Sequence, residues 1–345
     1  MMRLKKANLE NFLEAIAYDM DLYTPIKKDN ITTFKIYNRE LELDFDTLKV
    51  NVPPKNFFLP QVEGLYETKT KKGEITIHNV EDDQKSFVIF GARVCDIAGI
   101  DILDSVYLNT EPIDQFYKTK RDASLIIALG CNEPLNTCFC GVFNIDPSAS
   151  TTADINMIFV EDYLYLEANS GKGEDFISKY ENKLEKTSED ILAQKDEIGQ
   201  KLAAKPFNKL NLTNFDSKKL LQLFDSKIWE DVYKPCIGCG TCTFVCPTCQ
   251  CYDIKDYSHG SNVLRYRCHD SCMYSDFTMM AHGNIRHSQK ERFRQRFMHK
   301  LVYHPDNHDG VFGCVGCGRC INKCPVSINI VKVATLLQKE ADSFV

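Results

Sequence analysis

The chain has 345 residues, 43% of them hydrophobic and 26% charged, a balance that excludes a disordered protein and suggests about two folded domains. Its net charge of −6 argues against nucleic acid as a partner. No run approaches the ~20 apolar residues that a membrane span needs, and residues 1–13 have no apolar signal core, so a cytoplasmic protein in a reducing, anaerobic setting is expected.

Leu9, Phe12, Leu13, Ile16 and Ala17 recur at helical spacing and predict an amphipathic helix within residues 5–19. Strand-like runs follow at 33–36, 41–45 and 75–78. Two strongly apolar runs, 86–90 and 124–129, read as buried strands flanking a helix over 97–106. That order is a strand–helix–strand unit with a parallel pair. Residues 157–160 and 163–166 predict a hairpin closed by Glu161-Asp162. Ser170-Gly171-Lys172-Gly173 reads as a turn, and no glycine pattern of a nucleotide-binding loop is found. Residues 174–202 read as polar helix. A basic amphipathic helix is expected over 285–303, with Phe293, Phe297 and Leu301 facing inward and Arg286, Lys290, Arg292, Arg294, Arg296 and Lys300 as its cations. The expected architecture is an α/β (α+β) N-terminal domain over 1–205 with a parallel βαβ core, a helical linker over 206–235, and a ferredoxin-like two-cluster domain over 236–345 with a long helical insert.

The strongest signal is a cysteine phrase spelled twice, Cys236-x2-Cys239-x2-Cys242-x3-Cys246-Pro247 and Cys314-x2-Cys317-x2-Cys320-x3-Cys324-Pro325. It is the spacing of a two-cluster bacterial ferredoxin, in which the fourth cysteine of each phrase ligates the other cluster. Cys236, Cys239, Cys242 and Cys324 are therefore expected on one [4Fe-4S] cluster, and Cys314, Cys317, Cys320 and Cys246 on the other. Some cations of the 285–303 helix would offset the clusters' negative charge. A structural zinc protein is the competing interpretation, but zinc closes a tetrahedron from two ligand pairs and has no use for a third cysteine three residues on.

Eight further cysteines remain. Cys95, Cys131, Cys138 and Cys140 follow the two apolar strands, at the carboxyl ends where α/β folds place their sites. They are the preferred ligands of a third [4Fe-4S], expected to lie away from the ferredoxin pair. Cys249, Cys251, Cys268 and Cys272 are the fallback set. The eight histidines read singly as surface or core residues, and no Ser–His–Asp set or carboxylate pair stands out as catalytic. An oxidoreductase with its own substrate at the third site, using Asp96 and Glu133, is the alternative function.

Gly91-Ala92-Arg93-Val94-Cys95-Asp96-Ile97, Cys131-Asn132-Glu133-Pro134, Cys138-Phe139-Cys140, Cys246-Pro247-Thr248-Cys249-Gln250-Cys251 and Asp270-Ser271-Cys272, with the Arg-rich helix, resemble the signatures of a known family. It comprises the iron–sulfur β subunit of soluble sulfhydrogenases and the corresponding iron–sulfur subunit of anaerobic sulfite reductase. The resemblance spans about residues 86–330. It implies a non-catalytic electron-transfer subunit standing between a partner that carries FAD and oxidises NAD(P)H and a separate catalytic redox subunit.

Overall fold

The computed structural model describes all residues except 81–84, 189–190, 214, 216 and 343–345. The larger sheet contains β1 (Met2–Lys5), β2 (Asp21–Lys28), β3 (Ile31–Ile36) and β4 (Glu42–Leu43). A smaller sheet interrupts with β5 (Val62–Lys71) and β6 (Glu74–Asn79). The larger one resumes with β7 (Phe87–Arg93), β8 (Ser124–Leu129), β9 (Ile155–Val160), β10 (Tyr163–Ala168) and β11 (Glu185–Lys186). Its order is β11-β1-β10-β9-β8-β7-β2-β3, with β4 paired to β2. The pairs β9–β8, β8–β7 and β7–β2 are parallel, and antiparallel strands flank them.

Every residue of β7 is buried, as a central strand covered on both faces must be. Val88 and Phe90 point to the core built by Phe12, Leu13 and Ile16 of the Leu9–Asp19 helix. Phe87 and Ile89 point to the opposite core, with Ile97, Ile100 and Leu103 of the Val94–Tyr107 helix. Each such side chain, fully removed from water, contributes about 1.5–3 kcal/mol. The expected strand–helix–strand unit is thus present, with a second helix, Gln115–Ala123, added before β8. The 157–166 hairpin is present as β9–β10, with Glu161 in the left-handed region at φ 49°.

Three expectations are corrected. The polar 174–202 stretch is two helices, Gly171–Lys179 and Leu192–Ala203, separated by β11; residues 189–190 lie outside the described set. Ser170–Gly173 is a helix start rather than a free turn, because the Ser170 hydroxyl accepts from the Gly173 N–H as an N-cap. The insert between the two cysteine phrases is not wholly helical. It opens with a hairpin, β12 (Tyr252–His259) and β13 (Asn262–His269), turned at Gly260 with φ 61°.

That hairpin gives the fold its unexpected link. β13 pairs with β5, so the smaller sheet runs β12-β13-β5-β6 and contains strands from both halves of the chain. Buried charges hold the junction: Glu63 of β5 accepts from Lys120 and from Arg267 of β13, and Arg267 also reaches Asp114. Residues 206–234 form only short helical turns, including Leu220–Phe224 and Trp229–Val232, and positions 214 and 216 of that expected linker lie outside the described residues. Trp229 anchors them in a further core with Phe293, Phe297, Leu301 and Leu337.

Candidate functional site

The two cysteine phrases fold alike. Gly238 and Gly240 sit at φ 68° and 72°, and Gly316 and Gly318 at φ 62° and 70°, a left-handed backbone that favours glycine. Each loop then enters a short helix, Thr241–Phe244 or Arg319–Asn322, and the two helices pack together. This pairing brings Cys324 from the second phrase to the first loop. Cys236, Cys239, Cys242 and Cys324 line one cavity, walled by Phe293 and Phe297. Donors point at the sulfurs. Gly238 N–H and Gln289 Nε2 donate to Cys236 Sγ at 3.4 and 3.5 Å, and Ile328 N–H donates to Cys324 Sγ at 3.2 Å. Arg296 Nε donates to Cys242 Sγ at 3.1 Å.

Cys246 faces the other way. It is a charged neighbour of Cys314, Cys317 and Cys320. Burial pushes the Cys314 thiol up to about 12 and the Cys317 thiol up to about 11. The Cys249 thiol, by hydrogen bonding to Cys246, holds Cys246 well below its ordinary range against the effect of burial, and the cations of Lys300 and Arg296 help. Arg296 and Lys300 are themselves buried. Burial works against the charge of each, but the surrounding thiolates outweigh it and raise both above their usual ranges. The helix expected over 285–303 begins later, as Gln289–Met298 capped by Ser288 and continued by a π turn over His299–Tyr303, so Arg286 lies ahead of it.

Cys95, Cys131, Cys138 and Cys140 are also brought together. Cys95 lies in the first turn of the helix after β7, and Cys131 lies just past β8. Cys131 neighbours Cys95, Cys138 and Cys140. Their thiols are raised chiefly by burial at Cys95, Cys131 and Cys140. The expectation that this quartet lies apart from the ferredoxin pair is corrected, because Cys317 neighbours both Cys95 and Cys140. Backbone packing explains why. Phe139 N–H donates to Gly316 O at 2.9 Å, and a Cβ on Gly318 would fall 2.1 Å from Thr137 O. Asp96 beside Cys95 pairs through both oxygens with Arg319 beside Cys320, at 1% and 2% exposure.

The alternative quartet does not assemble as expected. Cys249, Cys251 and Cys272 line one cavity. Cys268, on β13 opposite Asp253 and Val62, lines a different one with Tyr107 and Arg267. Asp96 and Glu133 are also occupied elsewhere: Asp96 is paired with Arg319, and exposed Glu133 meets Lys201 and Lys205. Sequence reasoning missed His304, buried and stacked on His308 at 4.2 Å. Their four-residue spacing was the available signal.

Among the described residues, no group of three or more His, Cys, Asp or Glu side chains is placed to hold a single metal ion. A cubane asks for a wider arrangement, because each iron takes its own thiolate. Four cysteines around one cavity, with N–H groups and a guanidinium directed at sulfur, fit such a group.

A 4Fe-4S dicluster domain family matches residues 235–328. Sulfhydrogenase 2 subunit beta of Pyrococcus furiosus is 36% identical over 315 residues, covering 90% of this chain and 90% of that protein. The chain belongs to the sulfhydrogenase subunit beta family. As a member it is a 4Fe-4S iron–sulfur protein and an electron-transfer subunit of an oxidoreductase. Among the described residues, no helix of this family member is long and apolar enough to cross a membrane.

Proposed function

We propose that the chain relays single electrons between a flavin-bearing, NAD(P)H-oxidising partner and a separate catalytic subunit, hydrogenase-like or sulfite-reductase-like, in a cytoplasmic anaerobic complex. The observation that carries this reading is the continuity of cysteines through the fold. Exposed Cys239 shares a cavity with Cys242 and Cys324. Cys242 neighbours Cys320, and Cys317 neighbours Cys95 and Cys140. In this reading Cys236, Cys239, Cys242 and Cys324 hold one cubane, and Cys246, Cys314, Cys317 and Cys320 hold the second. Cys95, Cys131, Cys138 and Cys140 hold a third. When bound, each cubane supplies one-electron chemistry. The protein's part is to exclude water and to surround the sulfurs with N–H groups and buried cations. FAD and NAD(P) belong to the partner. The division into residues 1–205, 206–235 and 236–345 remains our reading of the organisation, and the shared β5–β13 sheet makes the intact chain the right object for every test.

The experiment is anaerobic reduction of the isolated chain. Dithionite should bleach its visible absorbance, while NADPH should do so only after a flavin-bearing partner is added. Bleaching by NADPH alone would contradict the relay.

A second reading, an oxidoreductase with its own substrate, is favoured by one feature. A cavity of about 960 Å³ opens at the carboxyl ends of β7 and β8, lined by Arg93, Gly130, Asn132 and Lys49. A changed EPR spectrum when sulfite alone meets the reduced isolated chain would support that reading instead.

A further inference from the structure

We propose that Cys249, Cys251, Cys272 and His304 hold a fourth iron–sulfur centre, a cubane carried by three thiolates and one imidazole. The inference rests on the reading that this chain binds cubanes, and it adds a site to the three above.

The four side chains line one cavity. Cys251 and Cys272 come from separate segments held together by the Asp270 N–H donating to Cys251 O at 2.9 Å. Cys249 lies three residues beyond Cys246 and neighbours it, so the site adjoins the second cubane's cysteines.

His304 supplies the independent observation. Its Nδ1 lies 2.7 Å from Val311 O. A carbonyl only accepts, so Nδ1 carries the proton and Nε2 keeps its lone pair. That Nε2 is buried and has no hydrogen-bond partner, on a residue 5% exposed. A buried nitrogen left without a partner is destabilising unless something binds it. A backbone carbonyl on one nitrogen with the other left free is how proteins orient a metal-binding imidazole. The π turn over His299–Tyr303 immediately precedes His304, and such turns recur at functional sites.

Charge points the same way. Lys55, Arg296 and Lys300 are all buried around these cysteines. Lys55 donates to Cys249 O, Arg296 to the sulfur and carbonyl of Cys242, and Lys300 to Thr248 Oγ1 and Gly313 O. None of the three is paired with a carboxylate among the described residues. Buried cations need anions, and thiolates bound to iron supply them. A single zinc ion fits less well, since it draws its ligands to within about 2.3 Å of one point, and among the described residues no three such side chains are so placed.

The test is made on the full chain reconstituted anaerobically with iron and sulfide. The C249S/C251S/C272S variant should lose about four irons, the content of one cubane, and keep the EPR signals of the ferredoxin pair. Pulsed EPR of the reduced wild type should show strong nitrogen-14 coupling that is absent from His304→Ala. His304→Cys should retain the iron and lose that coupling, which separates ligation from mere packing. The proposal is overturned if the triple variant keeps all its iron. It is equally overturned if the coupling persists in His304→Ala, or if the wild type holds one zinc that the triple variant lacks. A wild type with no ferredoxin-type signals would instead sink the cubane reading itself.

Discussion

Cys246→Ser should abolish or convert the cluster of the second phrase, although Cys246 belongs to the first. The loss is expected to be up to about four irons per chain. Cys246 is placed among Cys314, Cys317 and Cys320, while Cys324 crosses to share a cavity with Cys236, Cys239 and Cys242. The EPR spectrum of reduced Cys246→Ser should therefore match that of Cys314→Ser and differ from that of Cys236→Ser. A match to Cys236→Ser would show that each phrase ligates its own cluster.

Asp96→Ala should destabilise the chain by about 3–5 kcal/mol, the usual result of removing one partner from a buried ion pair. Arg319 would keep only its bond to Val50 O at 3.1 Å, leaving a guanidinium that is 2% exposed without a counter-ion. The pair also ties the helix carrying Cys95 to the short helix carrying Cys320, so the proposed third cluster should lose iron first. Urea unfolding of the anaerobic protein reads the effect. A double variant with Asp96→Ala and Arg319→Met should recover much of the loss, because an apolar pair of similar volume replaces the charges. A change below about 1 kcal/mol would place the pair among weak surface contacts.

The cysteine phrases were the most legible part of the chain, because cluster ligation fixes residue type and spacing together. The central β7–β8 unit was legible too, since strands buried on both faces read as continuous apolar runs. β2, with Asp21, Pro25 and Lys28, was not predicted; its place beside β7 depends on pairing with a distant strand. β5 and the β12–β13 hairpin escaped for a related reason. Glu67, Lys69, Lys255 and Asp256 break their apolar alternation, and the register between β5 and β13 joins segments some two hundred residues apart. The third quartet's members were readable, but its contact with Cys317 was not. That contact depends on Gly316 and Gly318 admitting the backbone of residues 137–140, and glycines in a cluster loop already have a local explanation. His304 was passed over because its four-residue spacing to His308 says nothing until its Nδ1 partner is known.

Cluster-based electron transfer is tested most directly by the metal content of the full chain purified without oxygen, measured with its dithionite-reduced EPR spectrum. The expected result is a brown protein with at least about eight irons and matching labile sulfide, since each cubane holds four, and a complex spectrum from neighbouring reduced clusters. A colourless chain holding stoichiometric zinc, little iron and no EPR signal after dithionite would contradict it.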